Sequence, residues 1–314
     1  MPSPPNRPPN RPPNRPRNVH AAWRMDVARK AAAAYTGNPK LAALTVAGSV
    51  GAGRADQFSD LELDCYWALP PADQDRLGPV EALGGQLTAL WDYDADEGEW
   101  SEDYRLGELD VTVSNFLTST VDRFLDEVTG QADTDPVKHM RLAAVQHSAP
   151  LAGADLIASW RARAARYPAA LAEALVSQSL SPDVLTGWGA REAYAARHDE
   201  LALRALLTRV GYAVAAAVLA LNHVYLPHRR LKWQHDLLSG LTVAPAQLTA
   251  RLDRLTSGPP AEAIRAAEDL LADTLELATE HTAADLTRFR LELSEKRRLV
   301  APPAPGDTPS QPRA

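Results

Sequence analysis

The chain has 314 residues, 45% of them hydrophobic, and a formal net charge of −7. That length leaves ample chain for a buried core. The acidic balance excludes a general electrostatic pull toward nucleic acid, which would need a local basic groove that the sequence does not offer.

Residues 1–24 are expected to form a disordered arm. The repeated Pro-Pro-Asn-Arg has no apolar face, and proline blocks both helix and ladder hydrogen bonds. The arm opens the chain unlike a secretory signal. A helix is expected over 25–35, stopped by Gly37-Asn38-Pro39, and residues 41–46 have the length of an apolar strand. After a glycine-rich turn, residues 61–67 alternate: Leu61, Leu63 and Cys65 share one face, while Asp60, Glu62, Asp64 and Tyr66 share the other. A helix over 78–90 is predicted next. The acidic run over 91–103 then reads as a hydrated hairpin or loop, or more sharply as a negative wall that selects a cationic acceptor such as an amino sugar. Residues 106–113 alternate again, with Glu108 and Asp110 on the polar side.

From residue 135 the pattern turns helical. Leu203, Leu206, Val210, Val214, Val218 and Leu221 trace one buried stripe. Ile264, Ala267, Leu271, Leu275 and Ala278 trace a second, continuing to Leu286, Phe289 and Leu293. The expected organisation is therefore an α+β unit over 25–134, a helical bundle over 135–300, and a loose tail over 301–314. The single cysteine, Cys65, excludes an internal disulfide and fits a reducing compartment. The most apolar run, 211–221, is short for a bilayer span. The chain thus reads as cytoplasmic, with no membrane partner and no nucleic-acid partner.

The chemistry concentrates in Gly48 to Leu63. A strand ends at Gly48-Ser49, where small residues let phosphate oxygens approach backbone N–H groups. The chain then enters a strand with carboxylates at alternate positions, so Asp60 and Glu62 stand side by side. Two hard oxygen ligands suit Mg²⁺, which completes its shell with phosphate and water. Asp110, on a neighbouring strand, is the candidate third carboxylate for a site of two Mg²⁺ ions, with Glu108 its rival.

Gly48-Ser49, Gly53, Asp56 and Ser59-Asp60-Leu61-Glu62-Leu63 together resemble the signature of the polymerase-β nucleotidyltransferase superfamily. The closest likeness is to the branch of small-molecule, aminoglycoside-type enzymes and the related DUF4037 family. Arg197-His198-Asp199, Leu221-Asn222, Tyr225-Leu226-Pro227 and Lys232-Trp233 are similar to the helical half of that family. The resemblance implies a small mixed sheet followed by a helical bundle. It also implies transfer of a nucleoside monophosphate from an NTP to an acceptor hydroxyl. Gly48, Ser49 and Lys232 would bind the nucleotide, and Asp60, Glu62 and Asp110 the metal. The acceptor would be a small molecule or a protein, and a homodimer would be in keeping with relatives. The alternative is a non-catalytic NTP- or partner-binding member of the fold, antitoxin-like or sensing.

Overall fold

The computed structural model describes residues 18–295. Most of the expected arm, and the expected tail, lie outside the described residues. In chain order the elements are α1 (Val19–Tyr35), β1 (Leu41–Val46), α2 (Gly48–Gly51), β2 (Leu61–Trp67), α3 (Asp73–Glu81), β3 (Gln86–Asp94), β4 (Glu99–Leu106), β5 (Leu109–Leu117), α4 (Thr118–Gln131), α5 (Pro136–His147), β6 (Ala149–Ala152), α6 (Ala154–Ala164), α7 (Ala169–Ser179), α8 (Arg191–Ala196), α9 (Glu200–Leu221), α10 (Gln234–Leu238), α11 (Leu248–Ser257), α12 (Pro260–His281) and α13 (Thr287–Ser294).

The fold is α+β. Six strands form one mixed sheet in the order β3-β4-β5-β2-β1-β6. β2 and β5 run parallel, and the other neighbours are antiparallel. Helices cover both faces. On one, α1 packs Ala28, Ala31, Ala32 and Tyr35 against Leu61, Leu63, Cys65 and Trp67 of β2. On the other, Tyr66 and Phe116 meet Phe124 and Leu125 of α4, Leu142 of α5 and Trp160 of α6. A third core gathers α7, α9, α11, α12 and Phe289 of α13. Both predicted helical stripes lie in it. Among the described residues, α9 is long and apolar enough to cross a membrane by length and composition. Here it is the central helix of that third core, with Leu203, Leu207, Val210 and Val214 buried.

Four expectations are corrected. Residues 19–24, assigned to the arm, open α1. Asn18 caps that helix, its Oδ1 accepting from the N–H groups of His20 (3.1 Å) and Ala21 (3.3 Å) while its Nδ2 donates to the Ala55 carbonyl (2.7 Å). The helix predicted over 78–90 ends at Glu81. Residues 86–94 pair with β4 instead, so tertiary pairing overrides the helical propensity of Ala and Leu. A short strand, β6, interrupts the helical half and pairs with β1. The second stripe breaks at Thr282, which is extended, before α13 resumes at Thr287.

Candidate active site

The chain leaves β1 at Val46 and turns through α2 before the loop to β2. Two glycines make that turn. Gly48 has φ +57, and a Cβ there would lie 2.5 Å from Glu62 Oε2. A Cβ on Gly51 would lie 2.1 Å from the Val46 carbonyl oxygen. Only glycine accommodates both the left-handed backbone and these approaches. The Glu62 carboxylate therefore rests directly on the bend.

A cleft of about 330 Å³ opens over this point. Gly48, Arg54, Asp60, Glu62 and Asp64 line it from the turn and β2, Thr112 and Ser114 from β5, Glu97 and Glu99 from the β3–β4 hairpin, and Arg141 and His147 from α5. Parallel register sets Glu62 beside Thr112 and Asp64 beside Ser114. Arg141 organises the back wall. Its Nη1 donates to Asp64 Oδ2 (2.8 Å) and its Nη2 to Glu99 Oε2 (3.3 Å), with the guanidinium carbon 3.5 Å from the Phe116 ring centroid. Arg54 stands in the cleft without an ion pair among the described residues. Its buried Nε has no hydrogen-bond partner, and burial pulls its pKa down.

The acids are crowded. Burial first, then Asp60 and Asp64, push the Glu62 carboxyl up to about 7 against the pull of Lys232 and Arg141. Burial likewise pushes Glu99 up to about 7, opposed by Arg141.

The structure brings Gly48, Asp60 and Glu62 together. Ser49 does not line the cleft; it lies in the turn, its carbonyl accepting from the Arg54 N–H at 2.9 Å. Lys232 is exposed but near enough to act on the Glu62 charge. Asp110 is not brought in. It sits directly across from Arg105 on β4 and pairs with it at 2.7 Å, its side chain 64% exposed. The register explains this: Thr112, not Asp110, stands beside Glu62. Glu108 lies exposed in the turn before β5. Of the acidic run, only Glu97 and Glu99 reach the cleft. Sequence reasoning missed Arg54 and Arg141. Arg54 carried a signal, being a cation inside the loop that joins the bend to the acidic strand. Arg141 carried none, since its place depends on α5 docking across the sheet.

Among the described residues no three His, Cys, Asp or Glu side chains gather as a self-sufficient metal cluster. Mg²⁺ needs no such cage, because it commonly takes one or two protein carboxylates and fills its shell with water and substrate phosphate. The Asp60–Glu62 pair, with its uncompensated charge, fits that mode.

The raised Glu62 pKa has a measurable consequence. The folded protein holds an extra proton between about pH 4.5 and 7, so this residue's contribution to stability falls as pH rises through that window. Without divalent cation, Glu62→Gln should be more stable than wild type above about pH 7, by on the order of 2 kcal/mol. The advantage should vanish near pH 4. Thermal melts in chelator across pH check this, and equal melting temperatures at high pH would refute the assignment.

No protein-family model matches the chain, and no curated protein matches it. Among solved structures it is similar to a nucleotidyltransferase-like protein from Exiguobacterium sibiricum 255-15. The two are 12% identical with a TM-score of 0.38, over 82% of this chain and 78% of that one. The residues of the cleft, not that distant likeness, carry the functional reading.

Proposed function

We propose that the protein is a Mg²⁺-dependent nucleotidyltransferase of the polymerase-β type. It would move a nucleoside monophosphate from an NTP to a hydroxyl of a small-molecule or protein acceptor, releasing pyrophosphate. The observation that carries this reading is the seat of the Glu62 carboxylate on Gly48, beside Asp60, at the floor of the cleft. Asp60 and Glu62 are the side chains that would hold Mg²⁺, which supplies charge neutralisation to the transferring phosphoryl group when bound. Gly48, having no side chain, lets the Glu62 carboxylate seat against the bend. Arg54, cationic and without an ion pair among the described residues, would meet the triphosphate, and Lys232 would add positive charge at the mouth. Arg141 ties Asp64 and Glu99 to the wall, so the acids keep their spacing when substrate enters. Glu99, with its proton affinity near neutrality, is the cleft carboxylate suited to take the acceptor hydroxyl proton.

The small-molecule branch is the proposed home within that superfamily. An acidic chain is a poor binder of polynucleotides, and Glu97 and Glu99 on the cleft wall favour a cationic acceptor. The test is incubation with each labelled NTP, Mg²⁺ and a panel of amino-bearing and neutral acceptors. A wild type no faster than the Asp60→Ala/Glu62→Ala variant across the panel would sink the proposal.

One observation favours a second reading. Asp110, the third carboxylate that the resemblance implies, is engaged by Arg105 outside the cleft, and Asp64 within it is held by Arg141, as suits a non-catalytic NTP-binding module. That reading expects Mg²⁺-dependent NTP binding by calorimetry with no turnover.

A further inference from the structure

The loop between α9 and α10 carries two non-glycine residues in the left-handed region, Leu231 (φ +47) and Trp233 (φ +60). Such backbone is costly for a residue with a side chain and persists only where the surroundings enforce it. Here they do. Leu231 and Leu238 are both buried in the third core. Asp253 of α11 accepts from Gln234 Nε2 at 3.1 Å and pairs with His235 Nε2 at 3.3 Å. The segment is thus clamped to the bundle on both sides of Lys232 and Trp233. Among the described residues, the half-buried Trp233 ring joins none of the three apolar cores. Its face meets the Arg54 guanidinium instead, whose carbon lies 5.9 Å from the ring centroid.

Arg54 lines the cleft from the loop that follows the Gly48–Gly51 bend. It has no ion pair among the described residues, and its buried Nε has no hydrogen-bond partner. Asp236 of α10 draws on its charge without pairing with it. The ring is therefore what steadies this cation. A carboxylate would occupy the guanidinium donors, whereas a ring face attracts the charge and occupies none of them. We propose that Trp233 is a positioning residue: its ring holds the Arg54 guanidinium toward the cleft with the N–H donors free to grip the triphosphate of an NTP. The bundle then sets, through one side chain, where the phosphates sit against the sheet. The proposal rests on the nucleotidyltransferase reading of the cleft, and adds to it a residue that touches neither nucleotide nor metal. At 5.9 Å the contact lies near the outer limit of cation–π attraction, about 6 Å, so its share of the binding is modest.

Calorimetry of the full chain with Mg²⁺ and each of ATP, CTP, GTP, UTP and inorganic tripolyphosphate tests it. Arg54→Met should weaken the tightest of these about thirty-fold, the loss of a charge-assisted contact. Trp233→Leu should weaken it about five-fold, and Trp233→Phe, which keeps a ring face, should stay within about two-fold of wild type. In the Arg54→Met background Trp233→Leu should change nothing further, because the ring acts only through the guanidinium. A merely structural role would add its loss in either background. Binding by Trp233→Leu equal to wild type overturns the proposal, as does a loss that persists in Arg54→Met or that Phe does not rescue. If Trp233→Leu fails to fold, Trp233→Gln, polar at a half-buried site, takes its place under the same criteria. A wild type that binds none of the five ligands refutes the nucleotide reading, and the proposal with it. The other adverse outcomes leave wild-type binding intact and strike the positioning role alone.

Discussion

Asp60→Asn and Glu62→Gln are each expected to slow nucleotidyl transfer about a thousand-fold, some 4 kcal/mol of lost transition-state stabilisation, with the fold intact. The size follows from position. Glu62 touches the bend where the phosphates would lie, and Asp60 lies beside it in the same cleft. The two isosteric changes keep shape and remove charge, so the loss should fall on kcat more than on KM for the acceptor. Arg105→Ala is the companion variant, because it frees Asp110 without touching the cleft. If Asp110 has a part in the chemistry, the rate will respond; if only Asp60 and Glu62 act, it will not. Single-turnover rates with a saturating acceptor give the answer, and full activity in Asp60→Asn would remove the basis of the enzyme reading.

The second large effect lies on the opposite face of the sheet and concerns stability. Arg76 of α3, 2% exposed, donates to Glu102 of β4, which is fully buried. Glu102 Oε2 also accepts from Asn115 Nδ2 at 2.7 Å, and Asn115 Oδ1 accepts from Trp67 Nε1 at 2.9 Å. The Tyr35 hydroxyl donates to the Arg76 carbonyl at 3.0 Å, tying in α1. Arg76→Met strands a carboxylate with no counter-charge in the core, which should cost about 3–5 kcal/mol. Adding Glu102→Leu should recover part of that loss, since what remains is packing and the buried Asn115 amide left without its acceptor. Urea midpoints of the two variants and the double variant measure the coupling. Equal destabilisation by single and double variants would show that the pair matters only through its volume.

The acidic strand and the bend were legible because each is local: period-two alternation marks β2, and glycines at tight positions mark the turn. The helical stripes were legible for the same reason. β3 was not, because Glu81-Ala82-Leu83 and Ala89-Leu90 carry helical propensity, and only the partner strand β4 makes residues 86–94 extended. β6 is four residues long and contains Pro150, too little for any periodicity. The cleft was half visible. Gly48, Asp60 and Glu62 come from one contiguous stretch, whereas Arg141 arrives from α5, 77 residues from its partner Asp64. Asp110 shows the limit of alternation as a guide. It names the right face of β5 but not the step along it, and the cross-strand arginine settles which acid is tied up.

β6 also bears on how the protein is made. The backbone of Gly51 is wedged between Val46 and Ala149, so the Gly48–Gly51 bend is sealed by a segment that leaves the ribosome only after α4 and α5. Until then β1 has a neighbour on one side alone. A nascent chain halted before β6 should therefore bind no nucleotide, and competence should arrive in one late step as the sheet closes.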